Sequence, residues 1–390
     1  MTILGVIIGA SVANLTEAVC FESPALIATE PPATNGTFRS IAASQIGDIF
    51  AVGVPGRVTV PRLVDDGARF SNANETLVVA GTESFGSAVA LSGSGRWLFV
   101  GAPAENSVYV YDVLGSATPL LIINGSDVAL PGSSFGHAIA VSLGGDRLLI
   151  GAPTEDAGAG RVYVYALNAP DGVPTEAVLV TEIVPSVSEF GLGTSLDISC
   201  DGKTAVVGAP LTNGSAGFVG VYNAGTGVLE AQIRPSDIVS VPAVPMLRLG
   251  ETVRTSGTRA MFVTTTLRAP STSIISLQRT SSTSAVFVER AMPLLDTSIV
   301  DFGSDFDMSA TTDRLVVGAR DGNAYLYKFD VTKSVYVEEL RTETNGTVLP
   351  ARVALSRNGR KYGVARADAA TPVAELVCVT ARRGNFQPQC

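Results

Sequence analysis

Two short signatures recur along this 390-residue chain, and they limit its folding more than any other feature. The first is Phe-Gly, at Phe85-Gly86, Phe135-Gly136, Phe190-Gly191 and Phe302-Gly303, with Leu249-Gly250 as a softened copy. The second is Gly-Ala-Pro, at Gly101-Ala102-Pro103, Gly151-Ala152-Pro153 and Gly208-Ala209-Pro210. It weakens to Gly318-Ala319-Arg320, Gly53-Val54-Pro55 and Gly363-Val364-Ala365, and around Val263 its glycine is gone. With that copy there are seven anchors. A period of roughly fifty residues marks an array of equal units, each too small to bury its apolar face alone.

Each unit reads as four short strands. After Phe85-Gly86 come residues 87–91 (SAVAL), a turn at Ser92-Gly93-Ser94-Gly95, then 97–101 (WLFVG), 107–111 (SVYVY) and 119–123 (PLLII). The runs are β-branched or aromatic and bounded by Gly and Pro, as half-buried strands require. In Val108-Tyr109-Val110-Tyr111 and Val162-Tyr163-Val164-Tyr165 the tyrosines alternate, so each pair faces one side. The Phe of Phe-Gly is read as an anchor between neighbouring units. Its Gly lets the innermost strand crowd the next near the axis. Four-stranded units at this period are propeller blades, so the expected fold is all-β, a seven-bladed β-propeller of four-stranded antiparallel blades.

These residues resemble the FG-GAP repeat family, the propeller repeat of integrin α subunits. The resemblance spans about residues 36 to 380. The expected organisation is a signal peptide or N-terminal extension over 1–18, then one propeller over 19–390. Its blades are expected at about 36–84, 85–134, 135–189, 190–248, 249–301, 302–347 and 348–390. The last has three strands of its own, and the segment 24–34 (with Ala25–Thr29) is expected to supply the fourth and close the ring. Closure removes an exposed edge. Cysteine placement agrees with closure: Cys20 stands near one end of the chain, Cys378 and Cys390 near the other, so a bridge from Cys20 to Cys390 or Cys378 would lock the ring. Cys200 is expected as a buried free thiol.

Ile3 to Ala13 is an unbroken apolar or small-residue run, too short to span a bilayer but of the length of a secretory core. Asn-x-Ser/Thr sequons stand at Asn14, Asn35, Asn74, Asn124, Asn213 and Asn345, most in expected loops where a glycan could be carried. Both features favour a secreted or surface protein with no transmembrane segment. The net charge of −9 and the absence of a basic run exclude a nucleic-acid groove.

The chemistry is sparse. The resemblance implies calcium in the loop between the first two strands of a blade. That loop needs several alternating carboxylates. Here the loops read Ser92-Gly93-Ser94-Gly95-Arg96, Leu143-Gly144-Gly145-Asp146-Arg147, Ser199-Cys200-Asp201-Gly202-Lys203 and Ala310-Thr311-Thr312-Asp313-Arg314, with one carboxylate at most. No metal, cofactor or catalytic group is assigned. The single histidine, His137, falls at the start of an inner strand. Asp305 and Asp307 alternate along another and face a polar channel. The binding face is expected where second-to-third and fourth-to-first strand loops meet, with Glu105, Asn106, Glu155, Asp156, Asn213 and Asp321 exposed to a protein or glycan. The function expected is a non-catalytic, adhesion-type binding module. The alternatives are a self-assembling structural subunit, extracellular or of a virion, and a hydrolase or lyase using the channel.

Overall fold

The computed structural model describes residues 25–29, 38–64, 69–70, 77–169, 172–185, 190–238, 247–257, 261–268, 271–280, 287–289, 302–303, 305–319, 322–342, 351–367 and 372–378. Its strands form four-stranded antiparallel sheets, each running outward from an inner strand. The first joins Ser40–Ala43, Phe50–Val54, Arg57–Val60 and Leu77–Ala80. The second joins Ala88–Leu91, Trp97–Ala102, Ser107–Asp112 and Leu121–Asn124. The third joins Ala138–Val141, Arg147–Ala152, Arg161–Asn168 and Glu176–Ile183, and the fourth Ser195–Ile198, Thr204–Ala209, Phe218–Asn223 and Leu229–Ile233. The fifth joins Val253–Thr255, Met261–Arg268, Ser271–Arg279 and Phe287–Glu289. The sixth joins Asp305–Met308, Arg314–Gly318, Ala324–Asp330 and Val335–Arg341. In the last, Arg352–Leu355, Lys361–Ala367 and Pro372–Cys378 are completed by Ala25–Thr29, which pairs antiparallel with Pro372–Cys378.

The expectation of a seven-bladed propeller is corrected: five of the sheets are regular blades. The test is the second-strand glycine. A Cβ at Gly53, Gly101, Gly151, Gly208 or Gly318 would run into a carbonyl oxygen of the following sheet, at Gly86, Gly136, Gly193, Gly250 and Ala351 respectively. Only glycine lets two sheets approach so closely. The first, second, third, fourth and sixth sheets have it. In the fifth sheet Thr264 stands opposite Val253, and in the last Ala365 stands opposite Arg352, so neither repeats the contact. The fifth sheet instead sends Arg254 across to the sixth, where its Nε lies 3.1 Å from Asp307 Oδ1.

Apolar side chains fill the space between sheets. Phe85 meets Tyr109 and Tyr111 edge-on at 5.5 and 6.3 Å between ring centres. Phe135 repeats this against Tyr163 and Tyr165, and Phe302 against Tyr325 and Tyr327. All three phenylalanines are fully or almost fully buried. Such pairs stabilise by about 1 kcal/mol each beyond their buried area.

The fourth sheet corrects the repeat's register. Phe190 is 48% exposed, and Leu192 is the buried anchor. Gly193 N donates to Gly208 O, just as Gly86 does to Gly101 and Gly136 to Gly151. The working pair is therefore Leu192-Gly193, and Phe190 is pushed out onto the loop.

The inner hairpins share one construction. Ser44, Ser92, Ser142, Ser199, Ser309 and Ser356 open them, and each hydroxyl accepts a backbone N–H at the return of the turn, from Ile49, Trp97, Arg147, Thr204, Arg314 and Lys361. The hydroxyls of Ser44, Ser142, Ser199, Ser309 and Ser356 donate to Asp48, Asp146, Asp201, Asp313 and Asn358. Hairpins are also bonded to one another. Gln45 N reaches Gly93 O, Gly93 N reaches Leu143 O, and Leu143 N reaches Cys200 O, at 2.9, 2.9 and 3.2 Å. Further round, Gly257 N reaches Ala310 O, Ala310 N reaches Arg357 O, and Asn358 N returns to Gln45 O, at 3.0, 2.8 and 3.1 Å.

Candidate functional site

Two surfaces carry side chains that packing alone does not explain: the loop face and the channel that opens on it. On the loop face, Pro103–Glu105 is one short 3-10 turn, ended by Asn106 in the left-handed region. Glu105 accepts from Thr82 and, at 2.6 Å, from Tyr109 Oη. That bond, then burial, pushes the Tyr109 pKa up to about 12. Asn106 Oδ1 accepts from Ser133 Oγ and Phe135 N, both at 3.3 Å, tying the second sheet's loop to the third. Both side chains hold loops in place.

Glu155 was expected to be exposed and is only 3% exposed. It accepts Tyr163 Oη at 2.9 Å and Leu130 N at 3.3 Å, and Arg161 Nε lies 3.9 Å away. Asp156 projects and pairs with Arg161 at 2.6 Å. It opens a left-handed turn with Ala157, at φ 49° and 59°. Asn213 and Gly214 form the matching turn in the fourth sheet, at φ 52° and 67°. Non-glycine residues avoid this region, so each turn is held by its surroundings. Asn213 is exposed, and so is Asn124. Asp321 lies outside the described residues, as do Asn14, Asn35, Asn74 and Asn345 and the Cys20–Cys390 pairing. Cys200 is buried and carries a disulfide bond, correcting the expected free thiol.

Phe190 is the residue the sequence reading misplaced. Its N–H donates to Thr212 Oγ1 at 2.9 Å, and Thr212 Oγ1 returns the bond to Phe190 O at 3.2 Å. The ring approaches Gly158 at the end of the third sheet's left-handed turn, and Leu211, which is 44% exposed, lies against Gly191. Leu130 is exposed on the neighbouring loop. Spacing held the signal: Gly86 to Gly101, Gly136 to Gly151 and Gly303 to Gly318 share one interval, and in the fourth unit it runs from Gly193.

The channel mouth is a cavity of about 800 Å³, walled by the starts of the inner strands, including Arg39, Ser87, His137, Thr194, Glu251, Arg254, Asp305 and Arg352. Below it lies a narrower space of about 130 Å³ beside Asp197, Arg254, Asp307 and Arg357. The acids here bolt sheets together. Asp197 Oδ2 accepts Thr255 N at 2.8 Å, Asp305 Oδ2 accepts Val353 N at 3.0 Å, and Asp307 Oδ2 accepts Leu355 N at 2.8 Å. Arg254 lies between Asp305 and Asp307, and Arg357 Nη2 is 3.5 Å from Asp197 Oδ1. His137 lies exposed at the rim with its pKa lowered by partial desolvation. Among the described residues no group of three His, Cys, Asp or Glu could hold a metal ion, and the hairpin carboxylates are taken up by serine hydroxyls. No helix among the described residues is long and apolar enough to cross a membrane.

The chain is similar to the β-propeller domain of Cps50 (Swd1) from Myceliophteria thermophila, at 12% identity and TM-score 0.61, covering 90% of this chain and 99% of that one. The fold is a β-propeller. The propeller is also similar to a chain of the Mitotic Checkpoint Complex, at 14% identity and TM-score 0.60, over 97% of this chain and 99% of that one. A third similarity is to a chain of Kuenenia stuttgartiensis hydrazine synthase, at 15% identity and TM-score 0.57, over 88% of this chain and 98% of that one. At such identities the likeness shows the fold alone. No family of known sequences matches the propeller, and no curated protein does. The FG-GAP and integrin resemblance thus rests on its own motifs.

Proposed function

We propose that this propeller is a non-catalytic binding module whose loop face docks a protein partner. The observation that carries the reading is Phe190, an aromatic residue 48% exposed whose backbone is fixed to Thr212 by two hydrogen bonds, with exposed Leu211 against the adjoining Gly191. Aromatic residues on a rigid, partly apolar surface are the usual energetic centres of protein interfaces. The turns beneath are held by Glu155, Asn106 and Thr212, so little ordering is needed on docking. A secreted or surface location, with an adhesion-type role of the FG-GAP kind, belongs to the same proposal. It is supported by the apolar segment Ile3 to Ala13 and by the exposed sequons at Asn124 and Asn213.

Proximity labelling with wild type and Phe190→Asp, at matched melting temperature, tests the docking. A partner lost from the variant supports it, and identical partner sets refute it. A second reading, a subunit of a larger assembly, is favoured by exposed Val178 and Val180 on the outermost strand of the third sheet and Ile122 on that of the second. Light scattering separates the two: a defined oligomer supports assembly, and a monomer removes it.

A further inference from the structure

The charges at the channel mouth do not cancel locally. Each carboxylate there already has partners. Asp305 takes the N–H groups of Phe306 and Val353 and lies 3.9 Å from Arg254. Glu251 is gripped by Arg248 through Nε and Nη2 at 2.9 and 3.2 Å. Arg254 is spent on Asp307 and Asp305. Among the described residues, two guanidinium groups on the same wall have no carboxylate: Arg39, whose Nη1 donates to Ser87 Oγ at 2.9 Å, and Arg352. They stand on neighbouring inner strands, Arg39 just before Ser40–Ala43 and Arg352 opening Arg352–Leu355. Both are half-buried, in a protein whose net charge is −9.

Two half-buried, uncompensated guanidinium groups beside one cavity repel each other and keep unused donors. A guanidinium offers a planar fork of N–H groups that matches oxyanion geometry. His137 adds a ring N–H donor on the same wall, while the hydroxyls of Ser87 and Thr194 already donate to Ser84 O and Gly191 O. We propose that the channel mouth is a binding site for a small oxyanion of the sulfate or phosphate class, held between Arg39 and Arg352. The cavity of about 800 Å³ leaves room for a larger group carrying that anion. The site does not depend on the docking reading: Phe190 lies on the rim loops, and the anion sits in the channel.

The single histidine supplies a readout that activity cannot confuse. His137 shares the wall, so an anion bound there raises its pKa, and one ring resonance reports it by NMR. Sodium sulfate is the probe, against sodium chloride at equal ionic strength, with inorganic phosphate as a second ligand. The expected result is a saturable upward shift of the His137 titration with sulfate and none with chloride. Affinity falls at least tenfold in Arg39→Gln and again in the Arg39→Gln/Arg352→Gln pair. Arg352→Lys keeps the charge, so it retains most of the binding and covers the case in which Arg352→Gln does not fold. Arg96→Gln, at an exposed arginine of the hairpin end, leaves it unchanged. An equal shift with chloride overturns the site, as does unchanged sulfate affinity in a folded Arg39→Gln protein.

Discussion

The two ends of the channel are built from the same strands and have little else in common. At the hairpin end six described turns repeat one device, a serine that accepts a backbone N–H across its own turn, and backbone bonds link neighbouring hairpins. At the loop end the connections vary, from the short 3-10 turn of the second sheet to the longer left-handed turns shared by the third and fourth, and apolar and cationic side chains reach solvent. The hairpin end is made alike because its role is to hold a ring shut. The loop end is free to vary because rigid inner strands already fix its position. Stability should therefore be lost by substitutions near the hairpin end, and recognition by those at the loop end.

The sharpest way to break that division is Asp197→Ala. It removes the acceptor of Thr255 N and the partner of Arg357 at a buried position. A donor and a charge left unmatched there cost about 3 kcal/mol, read as a fall in the denaturant midpoint. Ser142→Ala comes next. It deletes the bond from Arg147 N at 3.0 Å and frees Asp146, at a cost of about 1 kcal/mol by the same measurement. If either change left stability intact, the hairpin end would not be the structural one.

The smallest effect is at the loop end and appears only in alkali. Tyr109 and Tyr111 are both raised from 10 to about 12, Tyr109 chiefly through Glu105 and Tyr111 chiefly through burial. The folded state thus holds these protons longer than the unfolded chain. The stability they contribute is intact below pH 10 and lost as the pH rises through 12. Glu105→Gln should lower the pKa of Tyr109 and that of Tyr111 less, followed by absorbance at 295 nm. Neutral-pH stability should stay within about 0.5 kcal/mol of wild type.

Much of the ring was legible because glycine, proline and alternating aromatics each have one physical use in it. Val108-Tyr109-Val110-Tyr111 reads directly as a strand whose tyrosines meet one phenylalanine. The misreadings have causes as definite. Phe190-Gly191-Leu192-Gly193 offers two anchors, and residue type favours the wrong one; only the distance to Gly208 decides. The count of equal blades failed where threonine or alanine replaced the glycine that a neighbouring carbonyl requires. Glu155 looked like a loop acid, since nothing local announces that Tyr163, eight residues on, will fold back over it. The hairpin serines take up the carboxylates that calcium would need, a role that only the folded turns reveal. Arg39 and Arg352 belong to opposite ends of the chain, and only the ring brings them together.

The hairpin belt has a mechanical consequence. Its links run along the circumference, so a load placed on one rim loop is shared around the hoop before it can open a single joint. The molecule resembles a spoked wheel, with a replaceable rim and a hub that fails last.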